Sequence, residues 1–308
     1  MSGSSYKCFH FSGYSSVRSG LATSRLLLFL VLWDFQGFSQ MPETDIWLFK
    51  LEKKENIYTL VNPLNINNRP GYDNQPTFTP DGKSILYVSI REDKQADIYR
   101  YDIKSKIHTN ITKSKVSEYS PTILPDESGF SAVVVETDSV QRIWMLGYDG
   151  SFVKFANDAT DSVGYHSWLN MDTVLYYKLT EPHSLHALNL VNGKDTWICN
   201  NPSRAFRKIN SGSKFIYAIK NAAGMDFRIY DPALKESKVH AGYPSLNEDF
   251  LWHPEFGLVK AEGTDLLKYN ISTKNWDVLF SFGTLGIKKI TRFMFDLKSK
   301  QLVIVNNL

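Results

Sequence analysis

Hydrophobic residues along this chain cluster in short blocks separated by turn formers, with no sustained helical period. Apolar runs fall at 85–90, 130–135, 174–179 and 215–219, with weaker versions at 256–261 and 302–305. β-branched and aromatic residues dominate them, so each is predicted to be a strand. Their near-continuous apolarity, in place of strict alternation, predicts burial on both faces. About a dozen residues after each run comes a second pattern: an acid or small polar residue, an apolar residue, two variable positions, then Tyr, Leu or Phe. It is seen at 97–102, 184–189, 226–231 and 265–270, and more loosely at 142–148. A more polar strand closes the unit at 108–112, 152–155, 195–199 and 276–279. Ahead of every apolar run stands an anchor segment, best preserved as Pro76-Thr77-Phe78-Thr79-Pro80-Asp81-Gly82.

The anchors repeat. Their apolar positions Phe78, Ile123, Trp168, Ile209, Trp252 and Phe293 are spaced 45, 45, 41, 43 and 41 residues apart. Four strands per unit at this period define propeller blades. The expected fold is therefore all-β: a six-bladed β-propeller with four antiparallel strands per blade. The sixth copy has only its first half near the C-terminus. Its second half matches 45–50, with an outer strand at 56–61, so N-terminal strands are expected to join the C-terminal blade and close the ring.

Composition narrows this picture. The 308 residues are 43% hydrophobic and 14% aromatic, enough for a large core, and the repeats occupy 40–308 as one domain. Residues 1–39 read as a signal peptide: a Ser/Gly-rich basic stretch to Arg25, an apolar core at 26–33, and a short segment ending at Ser39. Eight apolar residues are too few to span a bilayer, so no transmembrane span is expected in the mature chain. Export places the protein in the periplasm or outside the cell. The formal charge is +3; 1–39 carries Lys7, Arg18, Arg25 and Asp34, which leaves +1 without it. No basic stripe is present, which argues against nucleic acid as a partner. Cys8 and Cys199 are the two cysteines, and the first would leave with the signal, so no internal disulfide is expected. An exported chain without disulfides points to a bacterium.

The anchor 74–83, the strand 85–89 and Asp97-Ile98-Tyr99 together resemble the WD-like repeat of TolB-type propellers. The likeness extends in degraded form over 44–308. It implies a stand-alone exported propeller that meets protein partners, without the separate N-terminal α/β domain of TolB. The Pro-Asp-Gly turn is a strand reversal and carries no chemistry.

In a propeller, the segments leading into the innermost strands gather around a central channel, where ligands bind. The candidate ligand-binding residues at that mouth are Asp73, Asn74, Glu118, Tyr119, Tyr165, His166, Arg207, Glu248 and Asp249. No catalytic residue is assigned: the chain has no Gly-x-Ser-x-Gly elbow, no His-Glu-x-x-His and no phosphate-cradling glycine loop. No metal ligand set or cofactor is assigned either. Calcium is the one ion the acids raise, and Arg207, Lys288 and Lys289 would oppose it. The expected function is a non-enzymatic protein- or peptide-binding module, within an envelope assembly. The alternative is a small-molecule enzyme, a lactonase or a carbohydrate-active lyase or hydrolase, built on the same mouth.

Overall fold

A computed structural model describes residues 41–308 apart from Asn56 and Ala159. The segment 1–39, expected from the sequence to be a signal peptide, lies with Cys8 outside the described residues. Six four-stranded antiparallel sheets account for nearly all of the rest. Blades 1 to 5 run in chain order over 72–110, 117–155, 163–200, 202–243 and 250–281. Blade 6 is composite: its inner strands are Ile290–Phe295 and Gln301–Asn307, and its outer strands are Thr44–Lys54 and Ile57–Asn65. The six-bladed propeller expected from the repeat is the observed fold.

Closure rests on one antiparallel ladder. Ile46 faces Val305, Trp47 faces Ile304, Leu48 faces Val303 and Phe49 faces Leu302. Ile46, Phe49 and all four of these residues on the C-terminal strand are fully or almost fully buried. The N-terminal strand runs on to Lys54, and its outer neighbour reaches Asn65. Both are longer than the repeat pattern indicates, because two neighbouring segments of the chain extend each other's ladder beyond the apolar core.

The core is divided into six parts. Each hydrophobic cluster lies between two neighbouring blades; Ile46, Leu48, Val303 and Val305 of blade 6, for example, pack on Ile85, Tyr87 and Tyr101 of blade 1. Second strands are sandwiched on both sides, and Ser84–Ser89 is buried throughout. This explains the continuous apolar runs. The anchor turn is built as its residues dictate: Gly82 N–H donates to Thr79 O at 2.8 Å, Asp81 Oδ1 accepts from Lys83 N–H at 3.0 Å, and Gly82 adopts φ +69°. That left-handed backbone costs least at glycine.

Since Ile46 fills the joint of blades 6 and 1 with no exposure, Ile46→Ala is expected to cost about 2–5 kcal/mol of folding free energy. Urea denaturation of the variant measures it. A cost near zero would mean that the N-terminal strand does not hold the ring shut.

Candidate functional site

The innermost strands are Tyr72–Phe78, Ser117–Ile123, Val163–Asn170, Pro202–Lys208, Phe250–His253 and Ile290–Phe295. Each touches the next, and the last touches the first, so they enclose an axial channel. Most of these strands pair irregularly with their neighbours, with register shifts at 74/77, 119/122, 163/165, 202/206 and 290/292. A bulge changes the alternation of the strand and re-aims its side chains. Gln75 and Ser120 take left-handed φ of 55° at two of these shifts. Local bonds offset that strain: Gln75 N–H donates to Asn74 Oδ1 at 2.8 Å, and Ser120 N–H donates to Gln75 Oε1 at 2.6 Å.

At one end the channel widens into a mouth of about 540 Å3, lined by Tyr72, Tyr119 and Tyr165 with Asn74, Arg204 and Arg292. Arg292 sits 5.8 Å from the centre of the Tyr165 ring, a cation–π contact. Burial pushes the Tyr72 phenol up to about 12, so it stays a hydrogen-bond donor at neutral pH. Tyr165, Gln75, Arg204 and Arg292 continue inward to a central cavity of about 160 Å3. This cavity takes residues from all six blades, among them His166, Arg207 and Asp249.

The centre gathers three guanidiniums around one carboxylate. Asp249 Oδ2 accepts the Phe293 N–H at 2.7 Å, and Oδ1 lies 3.9 Å from Arg292 Nη1. Burial raises the Asp249 carboxyl above its ordinary value, while Arg292, Arg207 and Arg204 pull it back. The guanidiniums are only partly satisfied. Arg204 and Arg292 both donate to the Thr291 carbonyl, at 3.4 and 3.0 Å, and Arg207 donates to the Phe206 carbonyl at 3.0 Å. The Nε atoms of Arg204 and Arg207 are buried and make no hydrogen bond to another protein group.

His166 is neutral, since burial and the nearby Arg207 push it down to about 3. Its Nε2 lies 2.6 Å from Ser131 Oγ, which also accepts from Trp168 Nε1–H at 2.9 Å and lies 3.2 Å from Thr122 O. Ser131 Oγ carries one proton, which it can give to Thr122 O or, over the shorter distance, to His166 Nε2. In either case His166 Nδ1 is buried and without a protein partner.

The remaining expected site residues lie apart from this cluster. Asp73 is wholly buried in its inner strand, where Arg69 Nη2 donates to its Oδ1 at 2.9 Å. Glu248 accepts from the Arg204 backbone N–H at 2.7 Å and from Lys220 at 3.1 Å. Glu118 is 2% exposed and bonds to Ser114 and to Thr112, the latter at 3.0 Å. The acids therefore do not converge, and no group of three or more His, Cys, Asp or Glu able to hold a metal occurs among the described residues. Several of the expected residues lie within the inner strands themselves and not in the loops before them. Arg204 and Arg292 were not among the residues expected from sequence. Spacing from the anchor does not find them together: Arg204 stands five positions before Ile209 and Arg292 one position before Phe293.

A broader groove of about 1040 Å3 runs along the turns of blades 5, 6 and 1, rimmed by Lys50, Lys53, Lys83, Lys104, Lys298 and Lys300. Its one close ion pair is Lys53–Glu255 at 2.7 Å, between half-exposed groups. Such surface charges are well solvated, whereas the channel buries polar atoms that lack partners. The channel is the candidate site.

No family model matches the chain. A curated relative, an uncharacterized protein of Agrobacterium fabrum, is 34% identical over 91 residues, which are 30% of this chain and 29% of that protein. The chain thus matches less than a third of that relative's length. Among solved structures, a candidate TolB from Agrobacterium tumefaciens superposes with a TM-score of 0.62 at 12% identity, covering 87% of this chain and 99% of that one. The gluconolactonase of Xanthomonas campestris gives a TM-score of 0.59 at 8% identity, covering 84% of this chain and 94% of that one. At such identities the likeness is one of fold: this is a six-bladed β-propeller with TolB-like and enzyme propellers among its structural neighbours.

Glu118 provides a pH test of the inner-strand architecture. Burial raises its carboxyl from 4.5 to about 7. The hydroxyls of Ser114 and Thr112 donate to the carboxyl and pull its value back down, but burial outweighs them. Below pH 4.5 the folded and unfolded chains both hold this proton; between there and about 7 only the unfolded chain releases it. Stability attributable to Glu118 therefore falls as pH rises through that window, by about 3 kcal/mol. Glu118→Gln should gain about that much on the wild type between pH 4 and pH 8 in urea denaturation. A constant difference across the range would show that the carboxyl is ionised in the fold.

Proposed function

We propose that this chain is a binding module that takes a peptide, or a projecting segment of a protein, into the mouth of the channel. One observation carries the reading: Tyr72, Tyr119 and Tyr165 converge with Arg204 and Arg292 on an opening of about 540 Å3. Tyr and Arg are enriched among residues that dominate binding energy at protein interfaces, where rigid rings supply contact area at little entropic cost. Export belongs to the same reading, with 1–39 as the signal peptide and the partner met in the periplasm or outside the cell. No helix among the described residues is long and apolar enough to cross a membrane. The TolB-like shape supports this assignment, as does the WD-like repeat.

The enzyme reading has less to draw on. A calcium-dependent lactonase needs several oxygen ligands around one point. Here Asp73 and Glu248 are engaged by Arg69 and Lys220, Glu118 by hydroxyls, and Asp249 by arginines.

Panning a phage-displayed random-peptide library against the full chain tests the proposal. Enriched peptides should lose at least tenfold in affinity, about 1.4 kcal/mol, on Tyr119→Ala or Tyr165→Ala. They should bind Trp197→Ala unchanged, a substitution on the outer strand Asp195–Asn200 of blade 3. Variants are compared only where the melting temperature is kept. Peptides indifferent to both tyrosines, or no enrichment at all, would refute binding at the mouth.

A further inference from the structure

We infer that the centre of the channel is a receptor for a carboxylate, held between Arg204, Arg207 and Arg292, with His166 Nδ1 hydrogen-bonded to the same ligand. The inference deepens the peptide reading and rests on it for one point only, the delivery of that carboxylate by a peptide.

Charge is the first reason. Three guanidiniums face a single carboxylate, Asp249, and the nearest approach between them is the 3.9 Å of Arg292 to Asp249. Neither side chain is much exposed, at 14% and 4%. Like charges gathered away from water repel one another strongly. A visiting anion relieves that repulsion, whereas a cation would add to it.

The second reason is unused bonding capacity. Arg204 Nε, Arg207 Nε, His166 Nδ1 and the Thr291 hydroxyl are all buried without a protein hydrogen bond. The first three line the cavity of about 160 Å3, and Thr291 lines the mouth just above it. Buried polar atoms without partners cost about 1–3 kcal/mol each, so a group that satisfies several at once binds with that gain. Guanidinium forks match the two oxygens of a carboxylate.

His166 Nδ1 offers the ligand one more bond: it accepts when the ring proton is on Nε2 and donates when Ser131 gives its proton to Nε2. A terminal peptide carboxylate serves both cases, through the amide N–H of the same residue or through a carboxylate oxygen. A phosphate dianion would place two charges against Asp249. Room for a few non-hydrogen atoms at the centre, opening into the tyrosine mouth, fits a chain terminus better than a bulky head group.

Isothermal titration of the full chain at low salt tests this with defined probes: N-acetyl-Gly-Gly-Tyr as free acid, the same peptide as C-terminal amide, N-acetyl-Asp-amide, galacturonate and inorganic phosphate. The free acid should bind at least tenfold more tightly than the amide. Arg207→Gln should remove that preference, and Arg207→Lys, which keeps the charge but not the fork, should weaken it severalfold while preserving the fold. N-acetyl-Asp-amide in place of the terminal acid would assign the site to acidic side chains. Galacturonate binding without either peptide would keep the carboxylate site and refute peptide delivery, with the mouth reading failing separately in its own tyrosine variants. Equal affinity for acid and amide, tighter binding of phosphate, or indifference to both Arg207 substitutions would overturn the inference.

Discussion

Every other feature of this molecule depends on the ladder between Thr44–Lys54 and Gln301–Asn307. A propeller has no central core; its apolar surface is buried between adjacent sheets, so an open ring would leave two faces wet. Pairing strands from opposite ends of the chain makes the sixth blade whole, and both its faces then find neighbours, blade 5 on one side and blade 1 on the other. The same ladder fixes where the inner strand Ile290–Phe295 stands relative to Tyr72–Phe78. It thereby sets the position of Arg292 across the channel from the tyrosines.

Convergence on the axis brings a second constraint. Six inner strands approach one line, and whatever their side chains carry is pressed together there. The blades are tied to one another close to the axis: Gln75 to Ser120, Glu248 to the Arg204 backbone, and Asp249 to the Phe293 backbone. Two of these ties use acids whose charge is offset by nearby cations. The acids thus hold the ring together, while the excess charge left facing the channel is positive. That inversion separates an anion-accepting channel from a cation site built of similar residue types.

Much of the fold was legible because repetition is a property of sequence. A period of about 43 residues, apolar runs buried on both faces, and a divided sixth copy specify blade number, strand order and mode of closure without any long-range information. The site was legible only in part. Tyr119, Tyr165, His166, Arg207 and Asp249 follow from proximity to the inner strands, and they do line the channel. Asp73, Glu118 and Glu248 share that proximity, yet their carboxyls turn to Arg69, to Ser114 and Thr112, and to Lys220. Alternation would normally say which residues face the axis, but bulges break it at different places in different blades.

By itself, the sequence determined a closed ring of six sheets, because the spacing of apolar blocks leaves that arrangement as the one able to bury them all. Which charges meet on the axis was decided only by the tertiary structure. Arg204, Arg207, Arg292 and Asp249 come from three different blades and are up to 88 residues apart, and register shifts of one or two residues in the inner strands decide which side chains face the channel and which a neighbouring blade. Such shifts depend on how sheets twist and pack against one another. That is a balance over many contacts, which no local pattern of residues records.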